Sequence, residues 1–211
     1  AKIEKEIVRP TLMPIAEKKG LKILALWENG FRHITNNKKP IDVPADLAGI
    51  KLRTPKSTWR VKMFKAYGAN PSPLSFSEVF VALQTGTFDG QENPFAQIAS
   101  AKFQEVQKYL SLTGHVYTPA YVTVDAKHFA KLPADVQVGL AAAAMDTQAF
   151  VYKVAAELET TLLAELKAGG MQVNTANKSA FIKASDAIYK EFASTVPGGG
   201  PLVEKALMLG K

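Results

Sequence analysis

The central part of the chain carries a long amphipathic pattern. From Pro133 to Ala168 there is no internal proline and one internal glycine, Gly139. Apolar and small residues recur there every three or four positions, at Val136, Leu140, Ala143, Thr147, Phe150, Val154, Leu158 and Thr161. The spacing predicts one helix over about residues 133–168 with one buried stripe. Such a helix would be roughly 50 Å long, so we expect it to span more than one lobe.

Shorter patterns predict a helix and several strands. Apolar residues at near-helical spacing predict a helix over residues 2–18, interrupted by prolines. The apolar run at 21–27 is typical of a buried strand, and the polar residues 28–30 predict a turn after it. A run rich in Tyr, Val and Thr at 117–124 predicts a further strand. Strands that alternate with helices indicate an α/β fold.

Residues 50–54 predict a strand with a basic residue at its end. Ile50 and Leu52 alternate with basic residues before Pro55 stops the strand. Arg53 is therefore expected at a strand end, on the face opposite the apolar one.

Two polar residues have the features of helix starts. Ser75 and Glu78 have the spacing of a capping box, which predicts a helix over about 76–85. Asn93 precedes Pro94, and Asn as N-cap with Pro at the first helical position predicts another helix.

Composition fits a globular protein of one large domain or two small lobes. The chain has 211 residues, of which 47% are hydrophobic, and it has no cysteine, which excludes disulfides and thiolate metal sites. Its longest apolar stretch, around 140–145, is far shorter than a bilayer span, and no signal-peptide pattern opens the chain. The net charge of +7 is scattered among acids, so we expect a solvated surface with mild attraction for anions and no nucleic-acid partner.

Signatures of catalysis are absent from the sequence. His33, His115 and His128 are far apart and have no second ligand nearby, so neither a metal site nor a cofactor is predicted. There is no G-x-S-x-G motif and no phosphate-binding loop, and no pair of carboxylates stands out. An enzyme is not expected.

Four separated segments carry a resemblance to a known family. In chain order they are ENGFR with the downstream TN (28–36), LAGIKLRTP (47–55), GANPSPLSFSEV (68–79), and ALQTG followed by DGQENP (82–94). In this order and spacing they closely resemble the DctP-type solute-binding proteins of TRAP transporters. The resemblance covers nearly the whole chain.

The resemblance implies a periplasmic-binding-protein-like fold of two α/β lobes that close on a ligand. Carried onto this chain, residues 1–28 and 119–158 belong to the first lobe and residues 29–118 and 159–211 to the second, and the long helix links them. Full-length members begin with a signal peptide and a βαβ segment that have no counterpart here. We therefore expect an incomplete first lobe, and we expect the 211-residue chain to bind organic acids weakly or not at all.

The implied function is that of a periplasmic receptor. It would bind an organic acid and deliver it to the membrane subunits of a TRAP transporter, without inserting into the membrane itself. The resemblance implies that Arg53 forms a bidentate salt bridge with the ligand carboxylate, a geometry that Lys cannot reproduce. It also implies that Arg32 and Asn93 bind the carboxylate or neighbouring groups and that Phe76 forms an apolar wall.

Each of these residues has a structural alternative. Arg53 fits a solvated surface charge, Arg32 a partner of a surface acid, Asn93 a helix N-cap, and Phe76 a core residue. Alternative functions are the effector-binding domain of a regulator and, as a third possibility, an α/β enzyme that acts on a small acid. Dicarboxylates, sugar acids, keto acids and aromatic acids all stay open as ligands.

Overall fold

A computed structural model describes residues 2–210, which divide into two compact units. Unit 1 comprises the described parts of residues 1–29, 119–156 and 190–211, and unit 2 comprises residues 30–118 and 157–189. This division differs from the predicted lobes at residues 190–211, which belong to unit 1. The contacts explain the difference, because Nζ of Lys205 lies 3.2 Å from Oε2 of Glu6 near the N-terminus.

A six-stranded sheet lies mostly in unit 2, and two of its strands extend into residues that belong to unit 1. Its order is β3-β2-β4-β1-β5-β6. The strands are β1 (Leu21–Asn36), β2 (Lys51–Thr54), β3 (Asn70–Pro73), β4 (Gly90–Asn93), β5 (Tyr109–Asp125) and β6 (Gln172–Thr175). Strand β4 pairs antiparallel with β1 and parallel with β2, while β3 and β6 pair parallel with β2 and β5. The mixed sheet and its helices confirm the α/β class.

Helices make up much of the rest of the chain. A π-helix at Glu4–Leu12 continues into α1, and 3₁₀ turns lie at Pro44–Leu47, Phe76–Glu78 and Phe103–Glu105. The α-helices are α1 (Met13–Lys18), α2 (Thr58–Ala66), α3 (Val79–Gln84), α4 (Phe95–Ser100), α5 (Ala126–Phe129), α6 (Ala134–Ala168), α7 (Lys178–Ala184), α8 (Asp186–Thr195) and α9 (Gly199–Leu209). Helix α6 confirms the predicted long helix almost to the residue. Within residues 2–210, no helix combines the length and the apolar character needed to cross a bilayer.

The predicted turn at 28–30 is wrong, because β1 continues through it. Gly30 has a φ of +106° in the middle of this 16-residue strand. A glycine adopts that conformation without strain, so the local kink does not end the strand. Pairing of residues 33–36 with β4 then outweighs the local turn signal.

Unit 2 contains two buried apolar clusters. One gathers β1, β2, α2 and α7 residues around Phe64, Tyr67 and Phe181. The other packs α3, α4 and the end of α6 around Ile98, Phe103 and Leu166. Fully burying side chains of this size stabilises a fold by roughly 1.5–3 kcal/mol each. These clusters include buried residues of strands β1, β2 and β5.

Strand β4 is unusual because its polar residues are all buried. Its sequence is Gly-Gln-Glu-Asn, and the chain beyond it continues into Pro94. Gly90 lies so close to β1 that an added Cβ would stand 2.3 Å from the carbonyl oxygen of Thr35. Only glycine fits this position, and it allows β4 to approach β1 closely, with β2 on its other side.

Candidate functional site

The sheet brings three predicted site residues together. Arg32 lies on β1, Arg53 on β2 and Asn93 on β4, the strand between them. In the register, Arg53 stands opposite Gln91 of β4, and Gln91 stands opposite Thr35 of β1. Side chains of directly paired residues lie on the same face of a sheet. Arg53 and these two polar residues therefore share one face, and all of them belong to unit 2.

Arg53 is buried and is held by a backbone carbonyl. Its residue is only 3% exposed, so the interpretation as a solvated surface charge is wrong. Nε and Nη2 donate hydrogen bonds of 2.9 and 2.6 Å to the carbonyl oxygen of Leu74. Leu74 is fixed in turn, since its N–H donates to the carbonyl oxygen of Thr54 at 3.1 Å. The guanidinium is thus oriented before any ligand arrives.

Within residues 2–210, no carboxylate balances the charge of Arg53 by direct contact. Among the described residues, no acid forms a salt bridge with it and Nη1 makes no hydrogen bond. Burial lowers the pKa of Arg53, the charge of Glu92 opposes this effect, and that of Arg32 adds to it. An arginine stays protonated nevertheless, so the buried cation retains two donors on Nη1 for an anion.

Phe76 lies beside Arg53 at the start of the 3₁₀ turn after β3. Its ring centroid is 6.0 Å from Cζ of Arg53 and 5.9 Å from the ring centroid of Phe103. The residue is 44% exposed, so the alternative of a core phenylalanine is wrong. Phe76 instead presents an open aromatic face next to the buried cation, which suits an apolar wall.

Arg32 forms a buried ion pair with Glu92. Nε donates to Oε2 at 2.5 Å, and Nη2 donates to Oε1 at 3.0 Å and to the backbone oxygen of Glu92 at 2.6 Å. Glu92 is fully buried, so the alternative in which Arg32 pairs with an acid on the surface is wrong. Nη1 of Arg32 makes no hydrogen bond with the described residues, and it is the atom left for a ligand.

Glu92 is the centre of a larger charged group. Arg60 donates to Oε2 at 3.0 Å, and Nε2 of His115 lies 3.1 Å from the same oxygen. Burial alone would raise the pKa of Glu92, but the hydrogen bond from His115 and the charges of Arg32 and Arg60 outweigh it and lower the pKa to about 2. Glu92 is therefore ionised throughout the physiological range.

His115 is neutral in this group. Burial lowers its pKa, and the nearby guanidinium groups lower it further, although Glu92 opposes them. In the neutral ring Nε2–H donates to Glu92, while Nδ1 accepts from the hydroxyl of Thr113 at 2.7 Å. With His115 neutral, Arg32, Arg53 and Arg60 face one carboxylate, so the site keeps an excess of positive charge.

Asn93 is a strand residue whose amide hydrogen-bonds to two other side chains, so its predicted role as a helix N-cap is wrong. Pro94 stands at the N-cap of α4, and no side chain caps that helix. Oδ1 of Asn93 accepts from Nη2 of Arg32 at 2.9 Å, and Nδ2 donates to Oε1 of Gln91 at 2.6 Å. One N–H of Nδ2 remains, and it is available to an acceptor on a ligand.

Sequence reasoning missed most of the surrounding residues. Thr35, Arg60, Gln91, Glu92, Gln107 and His115 were not among the candidates. The signal that could have found some of them is the polar segment Gln91-Glu92-Asn93, which lies between turns and next to strands. Three polar residues in a short strand indicate a buried network when the neighbouring strands are apolar. Their partners on other elements lie between 23 and 61 residues away along the chain, where no local pattern reveals them.

The family model for bacterial extracellular solute-binding proteins, family 7, named DctP, matches residues 1–195. The chain belongs to the DctP family. This result confirms the resemblance on which the sequence interpretation rests. The family consists of extracellular solute-binding proteins, that is, receptors and not enzymes.

The relatives of this DctP-family chain have related names. It is 41% identical over 193 residues to the 2,3-diketo-L-gulonate-binding periplasmic protein YiaO of Escherichia coli K12, covering 89% of this chain and 58% of that protein. It is 43% identical over 175 residues to a solute-binding protein of Verminephrobacter eiseniae, covering 82% of this chain and 52% of that protein. The chain thus spans little more than half the length of these relatives.

A solved structure agrees in fold. The crystal structure of a TRAP periplasmic solute-binding protein from Polaromonas sp. JS666, bound to D-erythronate, superposes with a TM-score of 0.91 at 38% identity. The match covers 97% of this DctP-family chain and 67% of that one. The likeness supports the predicted fold class of two-lobed periplasmic binding proteins.

Proposed function

We propose that this DctP-family chain forms the anion-binding part of a periplasmic receptor for an organic acid. Arg53 binds the ligand carboxylate through a bidentate salt bridge, and the whole protein delivers the acid to the membrane subunits of a TRAP-type transporter. The predicted division into two lobes stays part of this proposal, with residues 1–28 and 119–158 in the first lobe and residues 29–118 and 159–189 in the second. Residues 190–211, predicted in the second lobe, are assigned to the first, because they belong to unit 1.

One observation carries the proposal: Arg53 is a buried cation without a carboxylate partner among residues 2–210. Burying an unpaired charge is costly, so a fold retains such a group where an anion joins it. Leu74 occupies the edge formed by Nε and Nη2, which leaves Nη1 and the second N–H of Nη2 as a pair of parallel donors. A carboxylate accepts from such a pair with both oxygens.

The neighbouring groups fit the rest of a small acid. Asn93 offers the second N–H of Nδ2, whose first N–H donates to Gln91. Arg32 offers Nη1, while its Nη2 donates to Asn93. Phe76 offers an exposed ring beside Arg53. Together these groups supply several donors and one apolar face, as expected for a carboxylate with oxygen-bearing neighbours.

The names of the relatives narrow the ligand class further. YiaO is named for 2,3-diketo-L-gulonate, and the Polaromonas protein holds D-erythronate. Both ligands are carboxylates with further oxygens along the chain. A sugar acid or keto acid is therefore the ligand class that we propose first, because the site offers more donors than a single carboxylate uses.

A thermal-shift screen followed by calorimetry tests the proposal. The panel contains sugar acids, keto acids, C4-dicarboxylates, aromatic acids and the matching neutral sugars, applied to this chain and to the complete product of its gene. Binding to the native state raises the melting temperature, so we expect a rise with at least one acid and none with the neutral sugars. Equal shifts with acids and neutral analogues would overturn a carboxylate site.

A further inference from the structure

A line of buried hydrogen bonds leads away from Asn93 to a residue that is distant from the proposed ligand. It ends at Gln107, which follows the 3₁₀ turn at Phe103–Glu105. Nε2 of Gln107 donates to the carbonyl oxygens of Val106 at 3.1 Å and Asp89 at 3.4 Å. Carbonyl oxygens only accept, so the amide nitrogen of Gln107 has to face them. Its oxygen therefore faces Thr35.

From Gln107 onward each bond determines the direction of the next. The hydroxyl of Thr35 donates to Oε1 of Gln107 at 2.9 Å, so its oxygen is left to accept from Nε2 of Gln91, also at 2.9 Å. Oε1 of Gln91 is thereby turned toward Asn93 and accepts from Nδ2 at 2.6 Å. Thr35, Gln91 and Asn93 are all buried.

The other end of the line enforces the same direction. Arg32 only donates, so it requires Oδ1 of Asn93 on its side. Nη2 of Arg32, however, faces three acceptors with two N–H groups, two of the acceptors being oxygens of Glu92. The bond from Nη2 to Asn93 is therefore the one most easily given up in favour of Glu92. The orientation of the Asn93 amide then depends on the bond from its Nδ2 to Gln91.

We propose that Gln107, Thr35 and Gln91 are positioning residues for ligand binding, because they fix the amide of Asn93 with one free N–H directed at the ligand. This inference rests on the proposed function, in which Asn93 binds the acid. The site then requires an acceptor at that point, such as a carboxylate, keto or hydroxyl oxygen. A ligand with an ammonium group there would meet a donor and bind poorly.

Thr35 allows the cleanest test, because two variants separate shape from hydrogen bonding. Thr35→Val keeps the shape and removes the hydroxyl, which leaves Gln91 free to turn its amide. Thr35→Ser keeps the hydroxyl and serves as the matched control. We expect Thr35→Val to lose roughly tenfold in affinity for the best acid of the panel, and Thr35→Ser to stay within about twofold.

A double-mutant cycle shows whether Thr35 acts through Asn93. On an Asn93→Ala background, Thr35→Val should change the affinity by less than about twofold, since the amide that it positions is gone. An equal loss on both backgrounds would overturn the proposal. So would wild-type affinity in a Thr35→Val protein that is folded at the temperature of the measurement, because a merely structural role changes the melting temperature alone.

Side-chain amide resonances give a readout that needs no ligand. In ¹H–¹⁵N spectra the NH₂ group of Asn93, assigned with the Asn93→Ala variant, should move in Thr35→Val and keep its position in Thr35→Ser. Unmoved resonances in Thr35→Val would overturn the positioning role. The proposed function has its own test, because wild-type affinity in Arg53→Lys would overturn it. In that case the Asn93 resonances still show whether Thr35 positions the amide.

Discussion

Arg32 and Glu92 form a buried ion pair in which Nε and Oε2 are 2.5 Å apart, and this pair separates the roles of the two predicted site arginines. The charge of Arg32 is balanced by Glu92, whereas Arg53 donates to a neutral carbonyl oxygen and pairs with no acid among residues 2–210. Under the proposed function, a ligand carboxylate is expected to gain most from Arg53. Arg32 is expected to contribute through its remaining Nη1 and through the oxygen of Asn93 to which it donates.

Arg53→Lys should lose most of the affinity for the acid. Lysine keeps the positive charge but cannot present two parallel donors while bonded to the Leu74 carbonyl, so we expect a loss on the order of 2 kcal/mol or more. Calorimetry measures it. Arg9→Lys is the control, because Arg9 pairs with Glu4 in unit 1 and should be silent. Wild-type affinity in Arg53→Lys would remove Arg53 from the site.

Asn93→Asp should keep the fold and lose binding. One carboxylate oxygen can still accept from Arg32, but the other replaces an N–H that donates to Gln91 and brings a negative charge toward the ligand. We expect at least a tenfold loss of affinity, on the order of 1.4 kcal/mol.

The control for this variant is Asn177→Asp. Asn177 caps α7, where its side chain accepts from the N–H of Ala180, and Asp caps helices equally well. It should therefore leave stability and binding unchanged. Equal affinity for Asn93→Asp and the wild type would restrict Asn93 to a structural role.

Glu92→Gln should destabilise the protein strongly. The substitution leaves Arg32 and Arg60 without their shared carboxylate in a buried site, and breaking such a group typically costs about 3–5 kcal/mol. Urea unfolding of both proteins measures the difference. Glu105→Gln is the control, because its pair with Lys102 is exposed and worth less than about 0.5 kcal/mol. A loss below about 1 kcal/mol for Glu92→Gln would show that the cluster relaxes without it.

Local patterns predicted the elements whose stability is local. The periodicity that predicts a helix at 133–168 lies within α6 itself and the glycines that end it follow directly, while simple alternation predicts β2, whose last residue directly follows Arg53. The continuation of β1 through Gly30 was missed because it depends on pairing with β4. The N-cap predicted for Asn93 is wrong for a related reason, since its amide oxygen accepts from Arg32 on β1 and its amide nitrogen donates to Gln91 on its own strand.

The family resemblance predicts the candidate site residues, and the structure adds the buried residues that hydrogen-bond to them. Arg53, Arg32, Asn93 and Phe76 came from motifs that are local in sequence. The acid that holds Arg32 and the line of amides that holds Asn93 depend on contacts between distant segments. No spacing rule identifies such contacts, because they arise only when β4 is placed between β1 and β2.

Gly90→Ala should disrupt the centre of the sheet. A Cβ at this position would stand 2.3 Å from the carbonyl oxygen of Thr35, so the two strands have to separate, and we expect a loss of about 2 kcal/mol or more. Gly139→Ala is the control within α6, where nothing lies within 4 Å, and it should stabilise the helix by about 0.5–1 kcal/mol. Thermal unfolding compares the two, and similar stabilities for both variants would contradict the tight contact.

His33 should make the protein less stable in mild acid. Its ring stacks on Phe95 with centroids 4.5 Å apart, and Nδ1 accepts a hydrogen bond of 3.2 Å from the N–H of Gly114. Burial lowers the pKa of His33 from 6.5 to about 4, and His115, once it is protonated, and the charge of Lys178 add to this effect. Protonation would break the bond from Gly114, so the native state resists it.

The direction of the pH effect follows from the order in which the two states bind the proton. The unfolded chain takes up a proton near pH 6.5 and the native state only near pH 4, so stability is complete above 6.5 and declines as the pH falls toward 4. The decline amounts to about 3 kcal/mol for His33, with His115 adding to it because its pKa is also lowered.

Asparagine in place of His33 keeps an acceptor for Gly114 and does not titrate. His33→Asn should therefore lose stability at pH 7.5 but show a shallower decline between pH 6.5 and 4.5 in urea unfolding, while His128→Asn, at an exposed position, should follow the wild type. A decline as steep in His33→Asn as in the wild type would show that His33 is not the group that senses the proton.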